Sequence, residues 1–264
     1  MTPPRAKKQF GQHFLVDSNI LGVIDRLADL HSDDVVLEVG PGLGTLTNLL
    51  ADRVARVHTI EIDRALEPRL RAELESATNV NLIFGDALEL DLAALAPAPT
   101  KLVANLPYNI ATPLVVELLV GPNALDSWCV MLQREVADRF FAAPSTKAYG
   151  AVSVVVQLHA ERTGFHPVAR TVFWPPPNVD SALVAFSRRR EPRPDPHVRT
   201  VVQGAFAHRR KTLANALSLA GVATRERAVA ALASLELDPA VRAEALPPGT
   251  FVTLTDALSK ATAG

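Results

Sequence analysis

The amino-acid sequence predicts an α/β fold, an open sheet flanked by helices, followed by a small all-α domain. From about residue 20 to residue 187, helical stretches alternate with short apolar runs, which is the pattern of such a sheet. A proline-rich segment, residues 191–196, ends that pattern and marks a boundary. Beyond it the chain is predicted to form only short helices. We therefore expect an α/β domain over residues 1–190 and a helical domain over residues 191–264.

Seven apolar runs are the candidate strands. The first four are nearly continuous, as expected for central strands buried on both faces. The last two follow each other without an obvious helix between them, which predicts an antiparallel hairpin at the sheet edge with residues 164–178 as its loop. The runs are Val35–Val39, Val57–Ile62, Val80–Phe84, Lys101–Ala104, Ser127–Leu132, Val152–His159 and Ala182–Phe186.

Helices are predicted from apolar periodicity on both sides of the boundary. Two in the first domain are amphipathic, Ile20–Leu30 and Ala65–Glu75. The second domain has four candidates, Val198–Ala220, Arg225–Leu235, Pro239–Ala245 and Phe251–Ala263.

Composition excludes several classes of protein. Hydrophobic residues make up 48% of the chain and charged residues 21%, which favours a packed core over disorder. No apolar stretch approaches the roughly 20 residues that span a bilayer, and the basic N-terminus lacks the apolar segment of a signal peptide. We expect a cytoplasmic protein with no membrane contact. The single cysteine, Cys129, lies in an apolar run and is expected to be a buried hydrophobe, and no metal site is predicted.

The charge is distributed unevenly along the chain. The formal net charge is −1, but residues 188–211 hold eight Lys or Arg against Glu191 and Asp195, a local charge of +6. The rest of the chain therefore carries −7. Such asymmetry is compatible with one face directed at a polyanion, and equally with a solvated charge cluster.

A glycine-rich turn follows the first strand. Gly40, Gly42 and Gly44 allow tight turning and close approach of a ligand to the backbone. Glu61, at the end of the second strand, can accept both hydroxyls of a ribose. Asp86, after the third strand, can accept from an adenine amino group, or can cap a helix. The turn lacks the later spacing of the dinucleotide fingerprint, which favours S-adenosylmethionine over NAD.

The segment Asn105–Tyr108 follows the fourth strand directly. The amide of Asn105 can accept a hydrogen bond from the exocyclic amine of a base, and Tyr108 offers a stacking face. Pro107 stiffens the turn and presents backbone carbonyls. The alternative is an ordinary strand-to-helix turn, in which Asn and Pro are turn formers.

Together these motifs resemble the rRNA adenine N6,N6-dimethyltransferases, of the small-subunit dimethyladenosine type. The resemblance covers almost the whole chain and is carried by Lys8–Leu15, Gly40–Gly44, Glu61, Asp86, Asn105–Pro113, Lys147–Gly150, Phe173–Ser181 and Phe206–Leu213. It implies a Rossmann-like, seven-stranded S-adenosylmethionine-dependent methyltransferase sheet with a small C-terminal all-α domain that binds RNA. The implied reaction is dimethylation of N6 of two adjacent adenines near the 3′ end of small-subunit (16S) rRNA during ribosome biogenesis.

The resemblance also implies roles for individual residues. Asn105 lies between cofactor and target, and the implied cofactor contacts are Gln12, His13, Leu15, Gly40, Gly42, Glu61, Ile62, Asp86, Ala87 and Asn105. Two positions depart from the family: His13 stands where some members have Asn, and Trp174 replaces a smaller residue.

The chemistry of the target amine indicates what the catalytic residues do. The lone pair of N6 is delocalised into the ring, so the reaction needs positioning more than a strong base. We expect the side-chain oxygen of Asn105 and the carbonyl of Leu106 to accept the two amine protons, with Tyr108 and Phe173 sandwiching the base. The alternative for Phe173 is core packing. The predicted catalytic set is Asn105, Leu106, Pro107, Tyr108 and Phe173.

The basic segment is expected to contact RNA phosphates in a salt-dependent way. Residues 209–211 are predicted to lie in a helix and Arg188 at the domain junction, and the set is Arg188, Arg189, Arg209, Arg210 and Lys211. Lys7 and Lys8, in a mobile N-terminal segment, are expected to close over cofactor and RNA. The expected partner is small-subunit rRNA in a pre-ribosomal particle, bound by a monomer.

Three alternatives stay open. One is a large-subunit rRNA adenine methyltransferase that confers macrolide resistance. Another is a ribosome-assembly factor with secondary catalysis, and the third is a nicotinamide oxidoreductase.

Overall fold

The computed structural model describes residue 7, residues 11–191 and residues 193–260. Contacts divide the chain into two compact units. The first runs up to Ala137 and includes Glu161–Arg188, and the second comprises Asp138–Ala160 and the residues from Arg189 onward. Residues 138–160 thus belong to the unit that contains the C-terminal helices, although the sequence-based boundary assigned them to the first domain.

The first unit is built around a mostly parallel sheet. Its strands within the described residues take the order β4-β3-β2-β5-β6-β9-β7, and β1 and β8 form a separate two-stranded ribbon. Strands β2 to β6 pair in parallel, and β9 is antiparallel to β6. The strands are β1 (Phe14–Leu15), β2 (Val35–Val39), β3 (Arg56–Glu61), β4 (Val80–Phe84), β5 (Lys101–Asn105), β6 (Ser127–Gln133), β7 (Ala160–Val168), β8 (Phe173–Trp174) and β9 (Ser181–Arg188).

Helices α1 and α3 are shorter than the predicted Ile20–Leu30 and Ala65–Glu75. Helix α1 buries Ile20, Ile24 and Ala28 in the hydrophobic core that also contains Val36 and Val103 of the sheet. The helices are α1 (Asn19–Ala28), α2 (Thr45–Arg53), α3 (Glu67–Glu73), α4 (Ala111–Val120), α5 (Arg134–Phe140), α6 (Ala151–His159), α7 (His197–Ala207), α8 (Leu213–Leu219), α9 (Arg225–Ser234) and α10 (Pro248–Lys260). In the part of the chain that the structure describes, none of them is both long and apolar enough to cross a membrane.

The strand order reverses between β2 and β5. From β2 the chain builds outward through β3 to β4, and from β5 it builds in the other direction to β6. The carboxyl ends of β2 and β5 therefore lie side by side at a switch point, which is where open α/β sheets bind ligands. The apolar runs predicted for these strands are confirmed, and Cys129 in β6 is buried as expected.

The predicted strand Val152–His159 is wrong, because this segment forms helix α6. Its residues Val154, Val155 and Val156 are buried, and α6 packs against α7 and α10 of the second unit. Packing overrides the strand preference of a valine run, as β-propensity is strongly dependent on context. The seventh strand is instead β7, next to β9 at the sheet edge, so the predicted loop 164–178 contains the end of β7 and all of β8.

The helices of the second unit also differ from expectation. The predicted helix Val198–Ala220 is interrupted by a turn at residues 208–212, which separates α7 from α8. The segment Pro239–Ala245 forms only a short 3-10 helix at Ala243–Ala245. Helix α9 confirms the predicted Arg225–Leu235, and α10 confirms the last helix as far as Lys260, beyond which the chain lies outside the described residues.

Candidate active site

A cleft opens at the switch point of the sheet. Its lining comes from the glycine turn after β2, the end of β3, the loop after β5 and the segment that enters β1. A second cavity adjoins it and shares Gly40, Glu61, Ile62 and Pro107. The predicted cofactor residues divide between them: Gln12, His13, Leu15, Gly40, Gly42, Glu61, Ile62 and Asn105 line the first, and Asp86 and Ala87 line the second.

The glycine turn is held against two other elements. Gly40 has φ +81°, and a Cβ there would lie 3.2 Å from Cδ and Cγ of Pro107. Gly42 has φ +59°, and a Cβ there would lie 2.9 Å from Cδ1 of Phe14. Both positions require the left-handed backbone region and a missing side chain. The turn therefore brings its bare backbone to the cleft between the Pro107 loop and β1.

Glu61 is fixed by backbone donors at the end of β3. Its Oε2 accepts from the amide of Gly42 at 3.3 Å, and its Oε1 accepts from the amide of Asp63 at 2.8 Å. The side chain is 4% exposed, and this burial raises the pKa of its carboxyl. The two hydrogen bonds orient an otherwise buried carboxylate toward the cleft, where it can accept ribose hydroxyls.

Glu38 was missed by the sequence analysis, although an acidic residue inside an apolar strand was the available signal. It lines the cleft and is 1% exposed. Its Oε2 accepts from Oγ1 of Thr47 and from Oγ1 of Thr59, both at 2.7 Å. Burial raises the pKa of this carboxyl to about 7. Glu38 thus joins β2, α2 and β3 beneath the glycine turn.

Asp63 was also missed, since nothing in the sequence shows which residues reach it. Its carboxylate accepts from Nζ of Lys7 at 2.7 Å and from Nε2 of Gln12 at 3.0 Å. Burial would raise the pKa of Asp63, but hydrogen bonds from Lys7 and Gln12 outweigh it and lower the pKa. Asp63 thereby holds Gln12 at the cleft. Lys8 lies outside the described residues.

Asp86 ends a strand but does not begin a helix. Its Oδ1 accepts from the amide of Leu88 at 2.9 Å, closing a turn, and no α-helix of the described chain starts there. The helix-cap alternative is therefore wrong. The carboxylate and Ala87 border the second cavity, which leaves Asp86 available for an adenine amino group.

The loop after β5 presents two oxygen atoms that have no hydrogen-bond partner in the described part of the chain. Nδ2 of Asn105 donates to the carbonyl of His13 at 3.0 Å, which fixes the amide. Within the described residues, Oδ1 of Asn105 and the carbonyl oxygen of Leu106 accept no hydrogen bond. The side chain of Leu106 is buried at 1% exposure, so only its backbone is available to a ligand.

Tyr108 is held at the same loop. Its hydroxyl lies 2.6 Å from Oγ of Ser181, and its ring centroid lies 5.4 Å from that of His13. Burial raises the pKa of the Tyr108 hydroxyl. The ring lines the cleft and is only partly buried, which leaves a face for stacking.

Phe173 is not brought to the cleft. The side chain is 3% exposed and belongs to the core cluster that contains Leu15 and Ile20. This placement favours the core-packing alternative over the predicted sandwich.

Arg188 is committed to contacts inside the first unit. Its Nε donates to the carbonyl of Leu125 at 2.7 Å and its Nη1 to that of Leu119 at 2.8 Å. The guanidinium also lies 5.1 Å from the ring centroid of Trp128. Arg188 therefore satisfies carbonyls at the end of α4, a role that stabilises the fold.

The other predicted RNA contacts lie in the second unit. Nε of Arg189 donates to the carbonyl of Gln157 at 2.8 Å, and Nη2 of Arg209 donates to the carbonyl of Tyr149 at 2.9 Å. Arg210 and Lys211 are exposed. Residues 209–211 lie in the turn between α7 and α8, so their predicted helical placement is wrong.

The fold and the cleft together define a class. A parallel sheet with a switch point, a glycine turn that leaves no room for a Cβ, and a buried carboxylate at the end of β3 fit an S-adenosylmethionine-dependent methyltransferase. The sequence profile described as ribosomal RNA adenine dimethylase matches residues 4–260. The chain belongs to the ribosomal RNA adenine dimethylase family.

Individual relatives agree with this assignment. The chain is 47% identical over 252 residues to a Rubrobacter xylanophilus protein, covering 95% of this chain and 94% of that one. It is 44% identical over 257 residues to a Phenylobacterium zucineum protein, covering 96% and 88%. Both relatives are named ribosomal RNA small subunit methyltransferase A.

Two solved structures are similar over most of the chain. A dimethyladenosine transferase from Plasmodium falciparum superimposes with a TM-score of 0.80 at 24% identity, covering 94% of this chain and 98% of that one. The 23S rRNA methyltransferase ErmE superimposes with a TM-score of 0.68 at 29% identity, covering 93% and 99%.

Proposed function

We propose that this chain transfers methyl groups to N6 of two adjacent adenines near the 3′ end of small-subunit (16S) rRNA, two to each adenine, during ribosome biogenesis. The observation that carries the proposal is a pair of acceptors after β5, Oδ1 of Asn105 and the carbonyl of Leu106, which lie at the cleft beside Gly40 and accept no hydrogen bond from the residues that the structure describes. The small-subunit names of relatives at 40–47% identity support the choice of rRNA. We also propose that the protein acts as a monomer, in the cytoplasm, on a pre-ribosomal particle.

The cleft residues account for holding the methyl donor. Glu61 would accept the ribose hydroxyls, and Asp86 would accept from the adenine amino group. The bare backbone at Gly40 and Gly42 leaves room for the methionine part. S-adenosylmethionine supplies an electrophilic methyl group on a sulfonium centre.

Asn105 and Leu106 perform the central task of orienting a weak nucleophile. When their two oxygens accept both N–H groups of the target amine, the nitrogen is drawn out of conjugation and its lone pair is directed away from them. Because Nδ2 of Asn105 is held by the His13 carbonyl, the acceptor oxygen is oriented before the base arrives. The methylated nitrogen is strongly acidic and releases one proton to water, so no base of raised pKa is required at the loop.

Tyr108 and Pro107 shape the pocket for the base. The hydrogen bond between the Tyr108 hydroxyl and Ser181 fixes the ring, whose face can stack on adenine. For the second methylation only one N–H remains on the amine. One of the two acceptors then faces a methyl group, and we propose that the open side of the loop at Pro107 admits it.

The direct test is methyl transfer from S-adenosylmethionine to small-subunit particles isolated from an unmethylated strain, followed by nucleoside analysis and mapping. Two adjacent dimethylated adenines are the expected product. Large-subunit particles are the matched substrate, and their methylation in place of small-subunit particles would contradict the proposal. Calorimetry with S-adenosylhomocysteine and NAD gives an independent check, since tight NAD binding would indicate an oxidoreductase.

A further inference from the structure

The side chain of Trp174 is the most exposed aromatic surface of the described chain. It is 38% exposed, whereas every other described aromatic side chain is buried or partly buried. The preceding residue, Phe173, is 3% exposed in the core. Because successive strand residues point to opposite faces, β8 buries one aromatic ring and presents the next.

The β1–β8 ribbon places Trp174 beside the cleft. Phe14 lies directly opposite Trp174 in the antiparallel pair, and Leu15 lies opposite Phe173. Directly opposed side chains share a face of the ribbon. Leu15 and Phe173 both pack in the core, and both Leu15 and Phe14 line the cleft, where Phe14 packs against Gly42. Trp174 therefore lies on the same face of the ribbon as Phe14, which lines the cleft, and its ring is exposed to solvent.

His13, directly before β1, joins the ribbon to the loop Asn105–Tyr108 and to the residue after β8. Before β1, the carbonyl of His13 accepts from Asn105 at 3.0 Å. After β8, the carbonyl of Pro175 lies 2.7 Å from Nδ1 of His13. The His13 ring also lies 5.4 Å from the Tyr108 ring. The residues that flank Trp174 are thus held in register with the residues proposed to orient the amine.

We propose that Trp174 is a stacking platform for the nucleobase next to the target adenine, so that it binds the second of the two adjacent adenines while the first is in the pocket. This rests on the proposed function. A base that leaves its stack to enter a pocket exposes the face of its neighbour, and an indole ring at the rim covers that face. Stacking on an aromatic ring is tolerant of sequence, which suits an RNA whose two adenines exchange places between reactions.

Intrinsic fluorescence reports on this contact without catalysis. The chain has two tryptophans, of which Trp128 is 2% exposed and Trp174 is 38% exposed. An RNA hairpin with two adjacent adenines should quench the Trp174 emission, and the quenching should be lost in Trp174→Phe. A matched hairpin with one adenine replaced by an abasic site should quench at most half as strongly.

Affinity and kinetics complete the test. Trp174→Ala should bind the intact hairpin about tenfold more weakly than wild type and the abasic hairpin about equally well, whereas Trp174→Phe should stay within about threefold. On small-subunit particles, Trp174→Ala should raise the KM for RNA about tenfold with kcat within about twofold. Equal quenching by both hairpins, or an unchanged KM in Trp174→Ala, would overturn the platform. Failure of wild-type protein to methylate the particles would instead overturn the proposed function.

Discussion

The two sides of the cleft differ in how far their polar groups are satisfied. On the cofactor side, Glu38, Glu61 and Asp63 each accept at least two hydrogen bonds from this chain, and Asp86 accepts one from the amide of Leu88. On the transfer side, defined by Asn105 and Leu106, one hydrogen bond donated by the side-chain amide of Asn105 fixes its orientation. The side-chain oxygen of Asn105 and the carbonyl oxygen of Leu106 accept no hydrogen bond within the described residues. The difference indicates that the cofactor side is organised before binding, while the transfer side keeps its acceptors for the substrate.

The largest expected effect comes from removing the acceptor on the transfer side. Asn105→Ala should lower kcat about 10³-fold, because the amine loses an oriented acceptor that is needed in the transition state. Asn105 also lines the cofactor cleft and holds the carbonyl of His13, so calorimetry should show a weaker affinity for S-adenosylhomocysteine, but by a far smaller factor than the loss of kcat. A parallel loss of kcat and cofactor affinity would remove the distinction between the two sides.

The same variant separates catalysis from assembly. If methylation is the principal role, a strain carrying Asn105→Ala should resemble the deletion strain in subunit maturation. Normal maturation with unmethylated rRNA would favour the assembly-factor alternative.

The next effect concerns the stability of the cofactor side. Burial raises the pKa of Glu38 from 4.5 to about 7 in the folded protein. The folded state keeps a proton that the unfolded chain releases between these values, so the free energy of unfolding falls as pH rises through this window. Once the pH exceeds the pKa of Glu38 in the folded protein, the free energy of unfolding is about 3 kcal/mol lower than it is below pH 4.5.

Glu38→Gln should reduce this pH dependence to the part that Glu61 contributes and be more stable than wild type at about pH 8, as measured by urea unfolding at about pH 5 and about pH 8. Glu61→Gln is the matched control, because burial also raises the pKa of Glu61 and adds a slope of the same sign. If the urea midpoint fell equally between about pH 5 and about pH 8 in wild type and in Glu38→Gln, Glu38 would not be a source of the pH dependence of stability.

Replacing Glu61, the proposed acceptor of the ribose hydroxyls, should weaken cofactor binding and leave the rate of methyl transfer nearly unchanged. Glu61→Gln keeps the shape of the side chain but loses the charge that strengthens hydrogen bonds to hydroxyls, so affinity for S-adenosylhomocysteine should fall about 30-fold. The kcat at saturating cofactor should change less than about threefold. A loss confined to kcat would place Glu61 on the transfer side instead.

The smallest effect is expected for the basic residues of the second unit. Lys211→Ala should weaken RNA binding a few-fold at low salt and reduce the slope of log affinity against log salt by about 1. Arg188→Ala is the contrasting variant, because the guanidinium of Arg188 donates hydrogen bonds to the carbonyls of Leu119 and Leu125. It should lower the unfolding free energy by about 1–2 kcal/mol and leave the salt slope unchanged.

Local sequence was sufficient to predict the positions of the central strands from their apolar runs. It was also sufficient to identify the glycine turn and the segment Asn105–Tyr108 as parts of the cleft. These features depend on short-range patterns, namely buried β-branched runs and positions that only glycine tolerates. The family followed from the same motifs in the same order.

Tertiary structure alone decided the features that depend on distant partners. The valine run of α6 is helical because of its packing, and Phe173 is buried in the core. Arg188 donates hydrogen bonds to backbone carbonyls inside the first unit. Tertiary structure also brought Lys7 and Gln12 to Asp63, which lies 56 and 51 residues away along the chain. Such contacts are made by packing between segments far apart in sequence, so no local pattern encodes them. The orientation of the Asn105 amide belongs to this group, because the carbonyl of His13, from another segment, determines which way its oxygen faces.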